Sequence, residues 1–198
     1  MPPKAKFTKD EIVQAALDIV RTEGIQALTA RALGVKLGSS ARPIFTVFQN
    51  MEEVQQEVVR AAKQLYKVYV ENGLKQTEYP KFKGVGIQYI AFALKEQKLF
   101  QILFMSQQPQ KPMISNILPY IEDSYHQILL SVEESYNLNE RDAKALYGHL
   151  WIYTHGIATL YATNMCSFSA EEVGEMLTDV CQALLKKIKE ANENDRGQ

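Results

Sequence analysis

Residues that carry chemistry are scarce in this sequence: two cysteines and three histidines among 198 residues. Cys166 and Cys181 have no CxxC spacing, which excludes a structural zinc site or a disulfide framework and leaves free thiols as the expectation. No run of about 18 apolar residues occurs, so no membrane span is expected. The opening Met1-Pro2-Pro3-Lys4-Ala5-Lys6 lacks the apolar core of a signal peptide, and a cytoplasmic location is expected. Neither sign of charge dominates: 22 Lys and Arg face 23 Asp and Glu, for a net charge of −1. Together with 46% hydrophobic residues, that balance excludes a disordered chain and a histone-like polycation.

Catalytic signatures are missing as well. There is no GxSxG, no Gly-rich phosphate loop and no HExxH, and no nucleophile with a visible base beside it. His126, His149 and His155 are poorly spaced for a metal, and Glu122 with His126, one helical turn apart, reads as a solvated pair. An enzyme is not expected, and neither is a cofactor.

What remains is helical periodicity. Sustained apolar/polar alternation is absent, and breaks containing glycine and proline separate stretches with a 3.6-residue apolar period, so the chain is predicted to be all-α. A first helix spans Thr8 to Glu23. Thr8 caps it with Glu11 three residues on, a capping box, and Phe7 and Ile12 occupy staple positions. Gly24 supplies the left-handed terminator. A second, short helix starts at Thr29 and stops at Leu37-Gly38. Ser40 then caps a third, running to about Phe48, with Pro43 in its first turn, where a missing N–H costs little. Ile44 and Phe48 would face inward, Arg42, Thr46 and Gln49 outward. Two short helices joined by a Gly-containing turn on a longer first helix form a helix-turn-helix, whose last helix presents its outer residues to a DNA major groove.

Thr29-Ala30-Arg31-Ala32-Leu33, then Leu37-Gly38 and Ser40, then Ile44-Phe45 and Phe48 resemble the TetR/AcrR family of transcriptional regulators. The pattern there is T-x-R-x-L-A-x-x-L-G-V-S, L-Y-x-H-F and K-x-x-L, and the match covers residues 7 to 54. Trp151-x-x-x-His155-Gly156 is similar to a segment in that family's penultimate helix. Gly34 stands where the family has Ala, Ser39 where it has Val, Phe45 where it has a phosphate-binding Tyr, Val47 where it has His and Met51 where it has a phosphate-binding Lys. The resemblance implies a helix-turn-helix head over residues 1–50 and a larger helical body for ligand binding and dimerisation over 51–198. It further implies a homodimer, most often a repressor, on a palindromic operator in double-stranded DNA, with a small-molecule ligand of unknown identity that releases it.

Charge is distributed to match. Residues 1–50 hold the seven cations Lys4, Lys6, Lys9, Arg21, Arg31, Lys36 and Arg42 against the four anions Asp10, Glu11, Asp18 and Glu23. Arg42 is the candidate for bidentate reading of a guanine edge, Thr46 for a thymine methyl or a phosphate. Thr29, at a helix N-terminus with free amides, is a candidate phosphate cradle. Ser40, Ala41 and Phe45 share that surface, and Lys6, Lys36 and Asn50 are backbone candidates. Thr29 and Ser40 are caps whether or not DNA is touched. The apolar Phe45, Val47 and Met51 motivate a rival: a TetR-like protein that leaves DNA alone and acts as a ligand-dependent partner of another protein.

Beyond the head, Asn50 opens a long helix to about Lys75, with Glu53 completing a capping box. Gly73 and the segment Gln76–Lys83 end it. Further helices are predicted over Phe82–Lys95, Lys98–Met105, 113–136 with an interruption near Pro119, Glu140–Thr163 and Ala170–Ala191. Gln107–Pro112 is a break, and Asn192–Gln198 a fraying tail. By resemblance, the last two helices of two subunits form a four-helix bundle. The ligand candidates are Tyr69, Tyr89, Phe92, Phe104, Met105, Met113, Ile117, Tyr120, Tyr147, Trp151 and His155, a set that suits an apolar or aromatic ligand and that could equally be ordinary core.

Overall fold

The computed structural model describes residues 6–107 and 111–196. Among them nine α-helices form and no strand does. They are α1 (Lys9–Glu23), α2 (Ala30–Lys36), α3 (Met51–Lys75), α4 (Lys81–Lys95), α5 (Gln97–Phe104), α6 (Ile117–Ile121), α7 (Tyr125–Tyr136), α8 (Glu140–Ala162) and α9 (Ala170–Arg196). None is long and apolar enough to cross a membrane.

Helix starts follow their side chains. The Thr8 hydroxyl accepts from the Glu11 amide at 3.2 Å, and the Glu11 carboxylate accepts from the Thr8 amide at 2.7 Å, closing the capping box. Asn139 caps α8 and Ser169 caps α9, the latter with Glu172 reaching back. Asn50 accepts from the Glu53 amide at 2.9 Å, while Glu53 reaches one residue further than a regular box, to the Gln49 amide.

Four expectations change. The helix from Ser40 to Phe48 is instead a single 3₁₀ turn over Ile44–Thr46. Pro43 has no N–H to give, and the Thr46 hydroxyl takes the Pro43 carbonyl at 2.7 Å, competing for the acceptor that an α-helix would offer four residues on. Gly24 has φ +90° but ψ 169°, so it is not a left-handed helical terminator, though its amide still closes on the Val20 carbonyl. The 113–136 helix breaks at Glu122–Ser124 rather than at Pro119, because Pro119 lies in the first turn of α6, where its amide is not needed. Finally, α9 continues through Asn192–Arg196; residues 197 and 198, like 108–110 of the predicted break, lie outside the described residues.

The described residues form two compact units. One comprises those of Met1–Val68 and Lys95–Gln107, the other those of Tyr69–Leu94 and Gln108–Gln198. The first unit therefore takes in the start of α3 and all of α5 beyond the head predicted over 1–50. Its core is Ile12, Ala16 and Val20 of α1, Leu33 of α2, Ile44 and Phe48 of the segment between α2 and α3, Val54 and Val58 of α3, and Leu99 and Phe100 of α5. Each Val, Leu, Ile or Phe side chain among them contributes about 1.5–3 kcal/mol by leaving water. The second unit centres on Phe92, Ile128, Val132, Ala143, Leu146 and Ala158.

Candidate functional site

The turn that shapes the head is set by two glycines. Gly38 sits at φ +62°, its amide bonds the Val35 carbonyl at 3.0 Å, and the Ser39 amide bonds the Gly34 carbonyl at 2.9 Å. This pair of reversed bonds is a Schellman motif, which needs a residue tolerant of positive φ. Gly34 answers a different demand. A Cβ there would lie 3.0 Å from the Ala41 amide nitrogen and 3.0 Å from the Ser40 carbonyl carbon. The roughly 1 kcal/mol of helix propensity that glycine forfeits is thus offset by the close passage of residues 39–41 over α2.

That passage delivers an exposed surface. Arg42, Phe45, Thr46, Gln49 and Asn50 are exposed, whereas Ile44 and Phe48 beside them are buried. Arg42 forms no ion pair among the described residues. Arg42 precedes the 3₁₀ turn Ile44–Thr46, in which Phe45 lies. Lys6 donates to the Ser39 hydroxyl at 3.0 Å, bringing a further cation to the turn. Lys36 lies 3.9 Å from Asp18 with its side chain half exposed. Ser40 is exposed and Ala41 half-buried. The Thr29 hydroxyl accepts from the Ala32 amide at 3.1 Å, so the cap is made; Asn50 is likewise engaged as a cap. All nine predicted interface residues belong to the first unit.

The ligand candidates are dispersed. Phe104 and Met105 belong to the first unit, where Phe104 meets the Tyr66 ring edge-on at 5.1 Å. In the second unit Tyr69 packs edge-on against Phe92 at 5.2 Å, and Trp151 stacks on His155 at 5.0 Å. Tyr147 is buried between Phe82 and Tyr125 at 5.3 and 5.7 Å. The Tyr89 hydroxyl lies 2.8 Å from His155 Nδ1. Burial holds the Tyr89 and Tyr147 phenols well above their ordinary value and pushes the His155 imidazole below its own. These side chains fill space against one another. Met113 and Tyr120 are exposed, and Ile117 with Trp151 borders a shallow groove between α6 and α8.

A cavity of about 250 Å³ opens elsewhere in the second unit, between α4, α7, α8 and α9. Its walls are Phe82, Leu150, Leu177 and Leu185, with Tyr136, Thr154, Thr178 and Cys181 interspersed, and Lys83 and Gly86 from α4. The Cys181 thiol lies 3.5 Å from the Tyr136 hydroxyl, and burial pushes that phenol above its ordinary range.

Among solved structures, a protein from Vibrio parahaemolyticus assigned as a TetR-family transcriptional regulator is 17% identical with a TM-score of 0.56, covering 88% of this chain and 97% of its own. A TetR-family regulator from Mesorhizobium loti gives 17% identity and the same TM-score over 89% and 94%. The fold is that of TetR-family regulators. No family model matches the sequence, and no curated protein does.

Within the TetR-type fold, none of the eleven ligand candidates lines the cavity. Large aromatics were the sequence signal, but in the fold they pack on each other. The space is instead bounded by Gly86 and by side chains gathered from four helices, Phe82 and Tyr136 among them, a grouping that no one-dimensional pattern marks. The apolar positions of the last two helices also divide. Leu146, Leu150, Ile157, Val173 and Leu177 are buried within the chain itself, while Tyr153, Leu160, Val180, Leu184 and Ile188 stay partly exposed.

Proposed function

We propose that this protein is a ligand-responsive transcriptional regulator that binds a palindromic operator as a homodimer through the exposed surface of residues 40–50, and that it is a repressor released by a small ligand held in the helical body. The observation that carries this reading is the Gly38 turn, which is followed on a TetR-type fold by an exposed Arg42, without an ion pair among the described residues, and by the exposed Phe45 and Thr46. Arg42 reads a base edge; Lys6, Lys36, Thr29, Ser40 and Asn50 contact the backbone. The half-exposed stripe of Tyr153, Leu160, Val180, Leu184 and Ile188 forms the dimer contact. A palindrome then requires the two heads to sit about 34–36 Å apart. Release requires a ligand whose affinity differs between two arrangements of the heads, with coupling of about 1–3 kcal/mol.

A second reading rests on a specific observation. Phe45 is 45% exposed and Val35 73%, so the first unit carries exposed apolar side chains that suit a protein partner. Selection of bound sequences from a random double-stranded DNA pool separates the two, with Arg42→Ala as control. The regulator enriches a palindrome that the variant enriches weakly. A wild type that enriches nothing at low salt overturns the regulator in favour of the adaptor.

A further inference from the structure

The cavity in the second unit has a polarity that the rest of its wall does not share. Among its lining residues Lys83 is the only charged one. Its ammonium donates to the Thr178 hydroxyl at 3.3 Å and lies 6.0 Å from the centre of the Tyr79 ring, and no carboxylate pairs with it among the described residues. Of the other polar groups, the Thr154 hydroxyl donates to the Leu150 carbonyl, the Thr178 hydroxyl to the Gly174 carbonyl, and Cys181 meets Tyr136, while the neutral Gln182 amide also lines the cavity. An ammonium has three protons to donate and one is used here, so Lys83 keeps donors for an anion at the edge of an apolar space.

Gly86 supplies the second observation. It lies in the middle of α4, where glycine costs about 1 kcal/mol relative to alanine. Gly84, two residues earlier, is required because a Cβ there would collide with the Gly73 carbonyl. Gly86 has no such reason: an added Cβ would meet nothing within 4 Å. It is one helical turn from Lys83, on the cavity wall. A side chain at this position would occupy the cavity, and glycine leaves it open.

We propose that this cavity binds a small amphipathic carboxylate, its apolar body against Phe82, Leu150, Leu177 and Leu185 and its carboxylate on Lys83. At about 250 Å³ the space lies just below the ~300–1,000 Å³ usual for small-molecule sites, so the occupant is a medium-length aliphatic acid or a single-ring acid. This assignment deepens the regulator reading by naming the chemistry of the ligand.

The test is isothermal calorimetry on the full chain with sodium octanoate and 4-phenylbutyrate, beside octanamide as the neutral control. At least one acid binds the wild type. Lys83→Met, which keeps the stem and removes the charge, weakens it about 10- to 100-fold, the range of a charge-assisted hydrogen bond, and brings it level with octanamide. Gly86→Leu, which fills the space on a helix it also favours, abolishes binding with the circular dichroism spectrum unchanged. Absence of binding by both acids at millimolar concentration, affinity unaltered by Lys83→Met, or affinity surviving Gly86→Leu each overturns the proposal. A protein that selects a palindrome yet ignores both acids overturns this inference alone. One that binds an acid through Lys83 and selects no DNA overturns the regulator reading and leaves the site standing.

Discussion

Gly73 of α3 and Gly84 of α4 pack backbone against backbone: a Cβ on Gly73 would lie 2.7 Å from the Val85 Cα and nitrogen, and one on Gly84 would run into the Gly73 carbonyl oxygen. Both glycines are buried inside regular helices. Here glycine serves contact rather than turning, and α3 runs on past Gly73 to Lys75 although its sequence, Asn72-Gly73, favours turns.

Gly84→Ala and Gly86→Ala should therefore diverge in sign. The first forces the two helices apart and destabilises the fold by about 1–3 kcal/mol, the usual cost of overpacking. The second gains helix propensity and stabilises by up to ~1 kcal/mol. Urea denaturation of the two variants checks this, and equal effects would refute the close packing.

The Arg21 guanidinium of α1 bonds both carboxylate oxygens of Glu96, just before α5, through Nε at 2.8 Å and through a terminal amino group. Glu96 is 8% exposed and the Arg21 side chain 42%. The costs of breaking the pair are unequal, because the carboxylate is the desolvated partner. Arg21→Met, which leaves a buried charge without its fork, destabilises by about 1–3 kcal/mol, and Glu96→Gln by less. Thermal melts at neutral pH rank the two variants.

His155 gives a pH dependence with a defined sign. Burial lowers its pKa from 6.5, so the unfolded chain takes up the proton first as pH falls. Its contribution to stability is complete above pH 6.5 and is lost as pH drops from there toward the folded pKa. His155 Nδ1 and the Tyr89 hydroxyl share a hydrogen bond at 2.8 Å, whose direction is set by the protonation of the ring. His155→Gln flattens the slope of melting temperature against pH below 6.5; a wild-type slope in that variant would exclude the histidine as its source.

Phe45→Tyr adds a hydroxyl to the exposed face beside Arg42. If that face meets DNA, the hydroxyl finds a phosphate and tightens binding by about 2- to 12-fold, equally for all sequences, because phosphate contacts carry no base information. Fluorescence anisotropy on an operator and on scrambled DNA measures both ratios. Tightening on the operator alone would contradict a backbone role.

Local physics was legible in one dimension. Thr8 with Glu11, Thr29, Asn50, and Ser169 with Glu172 mark helix starts because a cap joins a side chain to amides two or three residues away, and sequence spacing alone fixes that distance. The inward Ile44 and Phe48 and the outward Arg42 and Thr46 were readable from their spacing, and so was the all-α class. The short segment from Ser40 to Phe48 was not, since its conversion to a 3₁₀ turn depends on how the Thr46 hydroxyl takes the Pro43 carbonyl. Still further from the sequence lay the two-unit division, the Arg21–Glu96 pair across 75 positions and the cavity wall drawn from four helices. Aromatic content predicted where large side chains are, and the fold alone decided that they fill each other's space and that Gly86 leaves a void. Caps and stripes are settled by neighbours along the chain; cavities and buried ion pairs exist only once distant segments have been brought into van der Waals contact.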